Sequence, residues 1–365
     1  MKSFFCIIFL ALQVSEYATA KAHVVFLNPA EKSHPFWSQF TKLAQVSATS
    51  LDLKLTVIYS NDSRKTFLKN YKQISQDKKK EGYDYLVTVY MQHLGQIVLE
   101  ESEKIGLKTM FVNSDIRDKS VLREIKKPRE VFKHWIGHIY PDDYQGAFDL
   151  ASQLILKAEN QVPGMIGFIG ISGDRDTGVA TERARGFIDA CDSRPRCKMN
   201  QTIYQNNWNA ELAGKKAVTL ADRHPNTVVF AMASDAMALE AKREFSKIGK
   251  QAGKDIYLGG FDWQKEALLE INKGSLEASV GGHFMEGAWA MVLIKDYHMG
   301  KDFNKILGTT FKSPMALSTK ANLSDSKKAL EIMNRSTLDF KKLSRWHNKK
   351  ASYDFSIFNF LGTSK

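Results

Sequence analysis

Apolar residues along this chain come in short bursts, and each burst gives way to a stretch in which they recur every third or fourth position. The bursts are "AHVVFLN" (22–28), "LKLTVIYS" (53–60), "DYLVTVY" (84–90), "LKTMFVN" (107–113), "WIGHIY" (135–140), "GMIGFIGI" (about 165–172), "TVVFAMA" (227–233) and "DIYLGGF" (255–261). Their length and their β-branched and aromatic content predict strands. Between them, Phe36, Phe40, Leu43 and Ala44 fall at helical spacing, and the stretch 236–248 follows the helix-starting pair "SD". Both patterns predict helices.

Strand followed by helix, repeated, predicts an α/β fold of doubly wound parallel sheets covered by helices. At 365 residues the chain exceeds one ordinary domain, so two such units are expected. In these sheets ligands bind outside the carboxyl ends of the strands. The segments leaving those ends include "NPAEKSHPFW", "NSDIRD", "SGDRDTGVATERARGF", "SDAMAL" and "DWQKEAL". They alternate polar groups with bulky rings and come from both halves of the chain, which predicts one site shared by two domains.

The first twenty residues stand apart. Lys2, the apolar "FFCIIFLALQV" and the small-residue end "EYATA" predict a secretory signal peptide over 1–20. No later segment holds the roughly 18 uninterrupted apolar residues of a membrane span, and no cysteine at the cleavage site calls for a lipid anchor. A soluble, exported, periplasmic protein is expected. Cys6 lies inside the signal, leaving Cys191 and Cys197 in "CDSRPRC". In an oxidising compartment these read as a local disulfide, the rival being half of a metal site for which no further ligands cluster nearby.

The formal charge of +12 raises the question of a nucleic-acid or anionic partner. Basic runs such as "DKKKEG", "REIKKPREVFKH" and "HNKK" are interrupted by acidic and apolar residues and lack an aromatic ladder. They read as solvated faces, with an acidic partner or the membrane surface as the alternative. No nucleic-acid partner, metal or cofactor is expected.

The strand-end segments carry the residue types that a hydroxyl-rich ligand needs. Aromatic rings cover the C–H faces of a sugar, and planar polar groups make paired hydrogen bonds to neighbouring hydroxyls. The rings are Phe36, Trp37, Trp208 and Trp263, and the polar partners Asn113, Arg183 and Asp262. Each has a plainer reading. Phe36 can belong to the core of its helix, which leaves Trp37 as the better ring because Phe40 and Leu43 already supply that helix's apolar stripe. Arg183 can face solvent. Asp262 can be an N-cap, as Asp235 is expected to be for its own helix. His34, His134, His138 and His283 are scattered, with solvent or core as their default.

Taken in order, "HPFW", "YPDDYQGAFDLA", "GISGDRDTGVATERARGF", "FAMASDAMALEA", "GGFD" and "GSLEASVG" resemble the type I periplasmic solute-binding proteins over nearly all of the mature chain. This is the ribose- and galactose-binding family that includes the autoinducer-2 receptors. The resemblance implies two doubly wound lobes, a three-segment hinge and closure around a ligand. The boundaries it implies are 21–138 with about 283–312 for the first lobe, and 139–282 with about 313–365 for the second lobe and tail. Carried onto matching positions, Phe36, Trp37, Asn113 and Ser114 would reach the ligand from the first lobe, and Arg183, Trp208, Ser234 and Asp262 from the second. His34, Trp263 and His283 are further candidates. Asn113–Ser114 with Trp37 looks like the autoinducer-2 branch, but Gly282 or His283 stands where that branch has a second arginine.

A sugar-responsive repressor of this fold would carry a helix-turn-helix where the signal peptide lies. "GFIGISGD" departs from the dinucleotide fingerprint, and neither a G-x-S-x-G elbow nor H-E-x-x-H occurs. The expected role is therefore a non-enzymatic, monomeric binder of a small sugar-like ligand. Its membrane partner would be an ABC permease or, alternatively, a sensor histidine kinase.

Overall fold

In the computed structural model, which describes residues 21–362, the bursts become strands of two separate sheets. The expected signal peptide, with Cys6, lies outside these residues. One sheet holds β1 (His23–Asn28), β2 (Lys54–Tyr59), β3 (Tyr85–Val89), β4 (Lys108–Val112) and β5 (Trp135–Pro141). The other holds β6 (Ile166–Ser172), β7 (Cys197–Tyr204), β8 (Thr227–Met232), β9 (Tyr257–Phe261) and β10 (Ala278–Gly281). A late segment gives each sheet an edge strand: β11 (Thr310–Ser313) runs parallel to β5, and β12 (Ala316–Thr319) antiparallel to β10.

The orders are β11-β5-β4-β3-β1-β2 and β12-β10-β9-β8-β6-β7. In each sheet the chain leaves its first strand toward one edge and then doubles back across it. This creates a switch point beside β1 and beside β6, where ligands of open α/β sheets bind. β1, β3 and β6 are buried along their whole length, which is why they read as nearly continuous apolar runs. β7, "CKMNQTIY", is a half-buried edge strand whose polar alternation hides it from a search for such runs.

Helices α1 (Pro35–Ser50), α2 (Arg64–Glu81), α3 (Gly95–Ile105) and α4 (Lys119–Ile125) belong to the first lobe. Helices α5 (Asp143–Glu159), α6 (Gly178–Asp192), α7 (Ala210–Arg223), α8 (Asp235–Lys247) and α9 (Lys265–Lys273) belong to the second. A disulfide joins Cys191, near the end of α6, to Cys197 at the start of β7. The chain then returns to pack α10 (Glu286–His298) against α1, followed by the short α11 (Asn304–Leu307). α10 is buried from Glu286 to Asp296, as its "AWAMVLI" core requires. No described helix is long and apolar enough to cross a membrane. The chain passes between the sheets after β5, after β10 and between β11 and β12.

The tail departs from the expectation that everything after about residue 313 joins the second lobe. α12 (Leu323–Met333) does lie against α9, but the chain then crosses to the first lobe. Lys42 of α1 donates to both the carbonyl and the side chain of Asn334, and the Phe340 amide donates to Ser50. The reason is Trp289 on α10, a large ring that needs cover. Phe355 stacks on it at 5.0 Å and 6°, and Phe340 and Phe360 close on it from other sides. The final helix, α13 (Ile357–Leu361), brings Phe358 within 5.8 Å of Trp263 in the second lobe.

Candidate functional site

The first lobe's contribution begins where β1 feeds α1. The Nδ1 of His34 accepts from the Trp37 amide at 3.4 Å, and Pro35 occupies the first helical position, where no amide hydrogen is needed. His34 is thereby spent on capping the helix. Phe36 is buried, with Phe40 at 6.1 Å, and its ring stacks on His283 at 4.7 Å and 22°. Trp37 is half-buried, with Phe40 at 5.0 Å and Phe26 at 6.3 Å, and it meets Phe36 edge-on. Both neighbouring rings lean on Phe40; Phe36, the more buried of the two, also reaches the second crossing through His283, and Trp37 is the more exposed.

Across from it, four ionisable side chains form a buried chain. Arg183 on α6 is 3% exposed. Its Nε donates to Asp143 Oδ1 at 2.8 Å and its Nη1 to the Ala233 carbonyl at 2.6 Å. The guanidinium lies 4.0 Å over the Phe261 ring and 5.8 Å from that of Trp208. Its Nη2 sits 3.4 Å from Nε2 of His283, which is itself 3.3 Å from Asp262 Oδ1. Burial pushes the Asp143 carboxyl up to about 7 against the pull of Arg183, and it lowers the His283 imidazole.

His283 cannot satisfy both neighbours. With its proton on Nε2 it donates to Asp262 and buries a bare Nδ1; with the proton on Nδ1 it accepts from Arg183 and buries an unused donor. Nδ1 has no hydrogen-bond partner among the described residues. This leftover polar atom, in a 1%-exposed ring that also stacks on Phe36, is a candidate contact for a ligand.

The end of β4 supplies the remaining first-lobe groups. Asn113 sits at φ 68°, and its amide donates to Glu286 Oε2 at 2.8 Å. Ser313 Oγ donates to the other Glu286 oxygen, so one carboxyl ties β4 to the second and third crossings. Burial raises Glu286 to about 8. The Ser114 carbonyl accepts from His138 Nε2 at 2.9 Å, while its buried Oγ has no partner among the described residues. Asn113, Trp208 (φ 53°) and Asp262 (φ 105°) all hold left-handed backbone without being glycine. Strain of this kind collects at functional sites.

The lobes touch at the rim. Arg117 pairs with Glu182 at 3.0 Å, and Arg64 approaches Asp176 at 3.6 Å. Gly178 opens α6 so close to the first lobe that a Cβ there would lie 2.1 Å from the Asp115 carbonyl oxygen. Only glycine permits that approach.

Residues 24–302 match the family model described as the periplasmic binding protein domain. The chain belongs to that family. Its two lobes are those of the type I periplasmic binding proteins, and no curated protein matches the sequence. Among solved structures, a periplasmic sugar-binding protein from Pseudomonas fluorescens is 27% identical with a TM-score of 0.82, covering 93% of this chain and 99% of that one. An ABC transporter periplasmic solute-binding protein from Actinobacillus succinogenes 130z, with bound D-allose, is 15% identical with a TM-score of 0.71 over 83% and 99%. The binding component of an arabinose ABC transporter from Shewanella sp. ANA-3, bound to L-arabinofuranose, is 16% identical with a TM-score of 0.70 over 86% and 99%.

Within this periplasmic binding protein the anticipated residues divide. Phe36, Asn113, Ser114, Arg183, Trp208, Asp262 and His283 lie on the strand-end segments just described. Trp263 does not face the cleft. Its ring is buried, its Nε1 donates to the Ser279 carbonyl at 3.1 Å, and Phe284 and Phe358 cover it. Ser234, not Asp235, is the cap of α8, accepting from the Met237 amide at 3.2 Å. Asp235 instead turns inward to accept from Ser279 Oγ and the Gln264 amide, both at 2.8 Å, and burial holds its carboxyl well above the usual range. Asp262 caps nothing, since Gln264 precedes α9.

Asp143 and Glu286 were not anticipated. The signal for Asp143 was the doublet "DD" after β5: Asp142 caps α5, which turns the next residue inward. Glu286 carried a weaker signal, an acid at the start of an otherwise apolar helix.

Proposed function

We propose that this protein captures a small neutral, hydroxyl-rich molecule, a monosaccharide or close relative, between its lobes and hands it to an ABC permease. The observation that carries this reading is the charge balance of the cleft. Arg183 is already paired with Asp143, Asp262 is held by His283, an imidazole in which burial disfavours the charge, and burial likewise favours the uncharged forms of Glu286 and Asp235. Among the described residues of the cleft no unpaired cation awaits a ligand carboxylate, whose burial beside compensated groups would be costly. What the cleft offers is the Phe36 ring, the indole of Trp208, and polar groups suited to hydroxyls: the Ser114 hydroxyl and the spare imidazole nitrogen of His283, both buried without a partner among the described residues, the side-chain amide of Asn113 and the Asp262 carboxyl.

Several of the similar structures are transport proteins with bound sugars, which favours a permease over a sensor kinase as the partner and a binding role over catalysis. Phe36 is the ring we assign to the sugar face, with Trp37 supporting it from behind. Ser234 would offer its hydroxyl proton, its oxygen being held by the helix it caps. Export to the periplasm agrees with the family and with the sequence of residues 1–20.

A thermal-shift panel tests this directly, because a ligand that binds only the folded state raises the melting temperature with concentration. Neutral pentoses and hexoses are expected to give shifts of several degrees, and amino acids none. A panel in which only charged compounds act would remove the proposal, and a response to autoinducer-2 analogues alone would return the receptor reading.

A further inference from the structure

The basic tract that the cleft leaves unexplained lies in the tail, at "KKLSRWHNKK" (341–350). These ten residues hold Lys341, Lys342, Arg345, Lys349 and Lys350 and no acid. Among them Trp346 is 45% exposed, an unusual condition for an indole in a folded protein. Lys341, Lys349 and Lys350 are exposed as well.

The tract is not a loose end. A 3₁₀ turn spans Lys341–Leu343, and Ser344 Oγ and the amides of Arg345 and Trp346 donate to buried Asp296 at 2.5, 2.6 and 3.0 Å. The Asn348 amide returns to the Ser344 carbonyl at 2.7 Å, and its side chain donates to the Lys342 carbonyl at 2.9 Å. The backbone is a pinned knuckle, so Trp346 is held out and its exposure does not come from fraying. Holding a large amphipathic ring in water among cations costs hydrophobic free energy that a neighbouring apolar position would recover.

We infer that this knuckle docks the protein on an anionic phospholipid surface, with Trp346 at the headgroup level and the flanking lysines over the phosphates. An indole has one apolar face and one polar edge, the arrangement that favours the membrane interface, and lysines there gain from the negative surface potential. A single presented ring on a compact turn does not offer the row of stacking platforms that a nucleic-acid strand requires. Docking would confine the protein to the layer where a membrane partner is met. The inference is independent of what the cleft holds.

The test is co-sedimentation of the full mature protein with vesicles of phosphatidylglycerol and phosphatidylcholine, against vesicles of phosphatidylcholine alone and a single-stranded oligonucleotide. Binding is expected only to the anionic vesicles, weakening with salt. It should fall at least tenfold in Lys341→Gln/Lys349→Gln/Lys350→Gln, since each cation near the surface is worth roughly fivefold. In Trp346→Phe the blue shift and brominated-lipid quenching of the indole should vanish. All these side chains are exposed, and melting curves matching the unmodified protein check that the variants fold. No binding to anionic vesicles, or binding that the variants leave unchanged, overturns the inference. Tighter binding to the oligonucleotide through the same residues would assign the knuckle to a different partner and overturn it equally.

Discussion

One helix carries two buried carboxyl groups with opposite histories. Asp296, near the C-terminal end of α10, accepts from Ser344 Oγ, the amides of Arg345 and Trp346, and Tyr353 Oη at 2.8 Å. Glu286, at its N-terminal end ten residues earlier, has two donors, the Asn113 amide and Ser313 Oγ. Both are fully buried. Around Asp296 every donor comes from the tail, and the cluster is saturated. Around Glu286 the donors come from the other crossing segments, and the neighbourhood includes Ser114 Oγ and His283 Nδ1 with no partner among the described residues. A saturated buried cluster fastens structure; an unsaturated one beside a cleft is ready to bind.

The sharpest way to break this contrast is Asp296→Ala. It strands a serine, a tyrosine and two amides in a dry site, and should cost about 3–5 kcal/mol of stability by denaturant titration. Ligand affinity of the folded variant should hardly change. Arg183→Ala should do the reverse in emphasis, weakening ligand binding by about 2–5 kcal/mol in calorimetry because Asp143 and the ligand both lose their partner. A variant in which Asp296 governs affinity and Arg183 does not would dissolve the distinction. Eight residues beyond Arg183 along α6, Cys191→Ala with Cys197→Ala is a control. Opening so short a loop should lower stability by about 2 kcal/mol and leave affinity alone.

The smallest effect concerns pH. Burial raises Glu286 from the ordinary 4.5 to about 8, so the folded protein keeps a proton that the unfolded chain releases. Its contribution to stability is therefore full below about pH 4.5, declines as pH rises and levels off above about 8. Glu286→Gln should flatten that part of the stability profile, measured as melting temperature against pH. An unchanged slope would mean that Glu286 is ionised in the fold.

Much of the architecture was legible because burial on both faces leaves a plain mark: β1, β3 and β6 are buried from end to end and mostly apolar. β7 left no such mark, being a half-exposed edge. The cleft was harder to read. Arg183 was visible as a candidate, but its partner Asp143 lies forty residues away, and nothing local says that two charges will meet. Phe36 and Trp37 are adjacent on a helix, and only the position of His283, almost 250 residues later, decides which ring faces the crossing. Trp263 was misread for the same reason, since its cover is Phe358 at the far end of the chain. The tail's place on the first lobe follows from Trp289, whose need for cover is apparent only once α10 is seen lying against α1.

The most direct test of the central claim is the dissociation constant of the best-shifting neutral sugar, measured by calorimetry for the unmodified protein and for Asp262→Asn. Asparagine keeps the shape and tolerates the left-handed backbone at this position while removing the charge. A charged hydrogen bond is worth about 1.5–3 kcal/mol, so the account predicts at least a tenfold weaker affinity with an unchanged melting temperature in the absence of sugar. Equal affinities in the two proteins would contradict it.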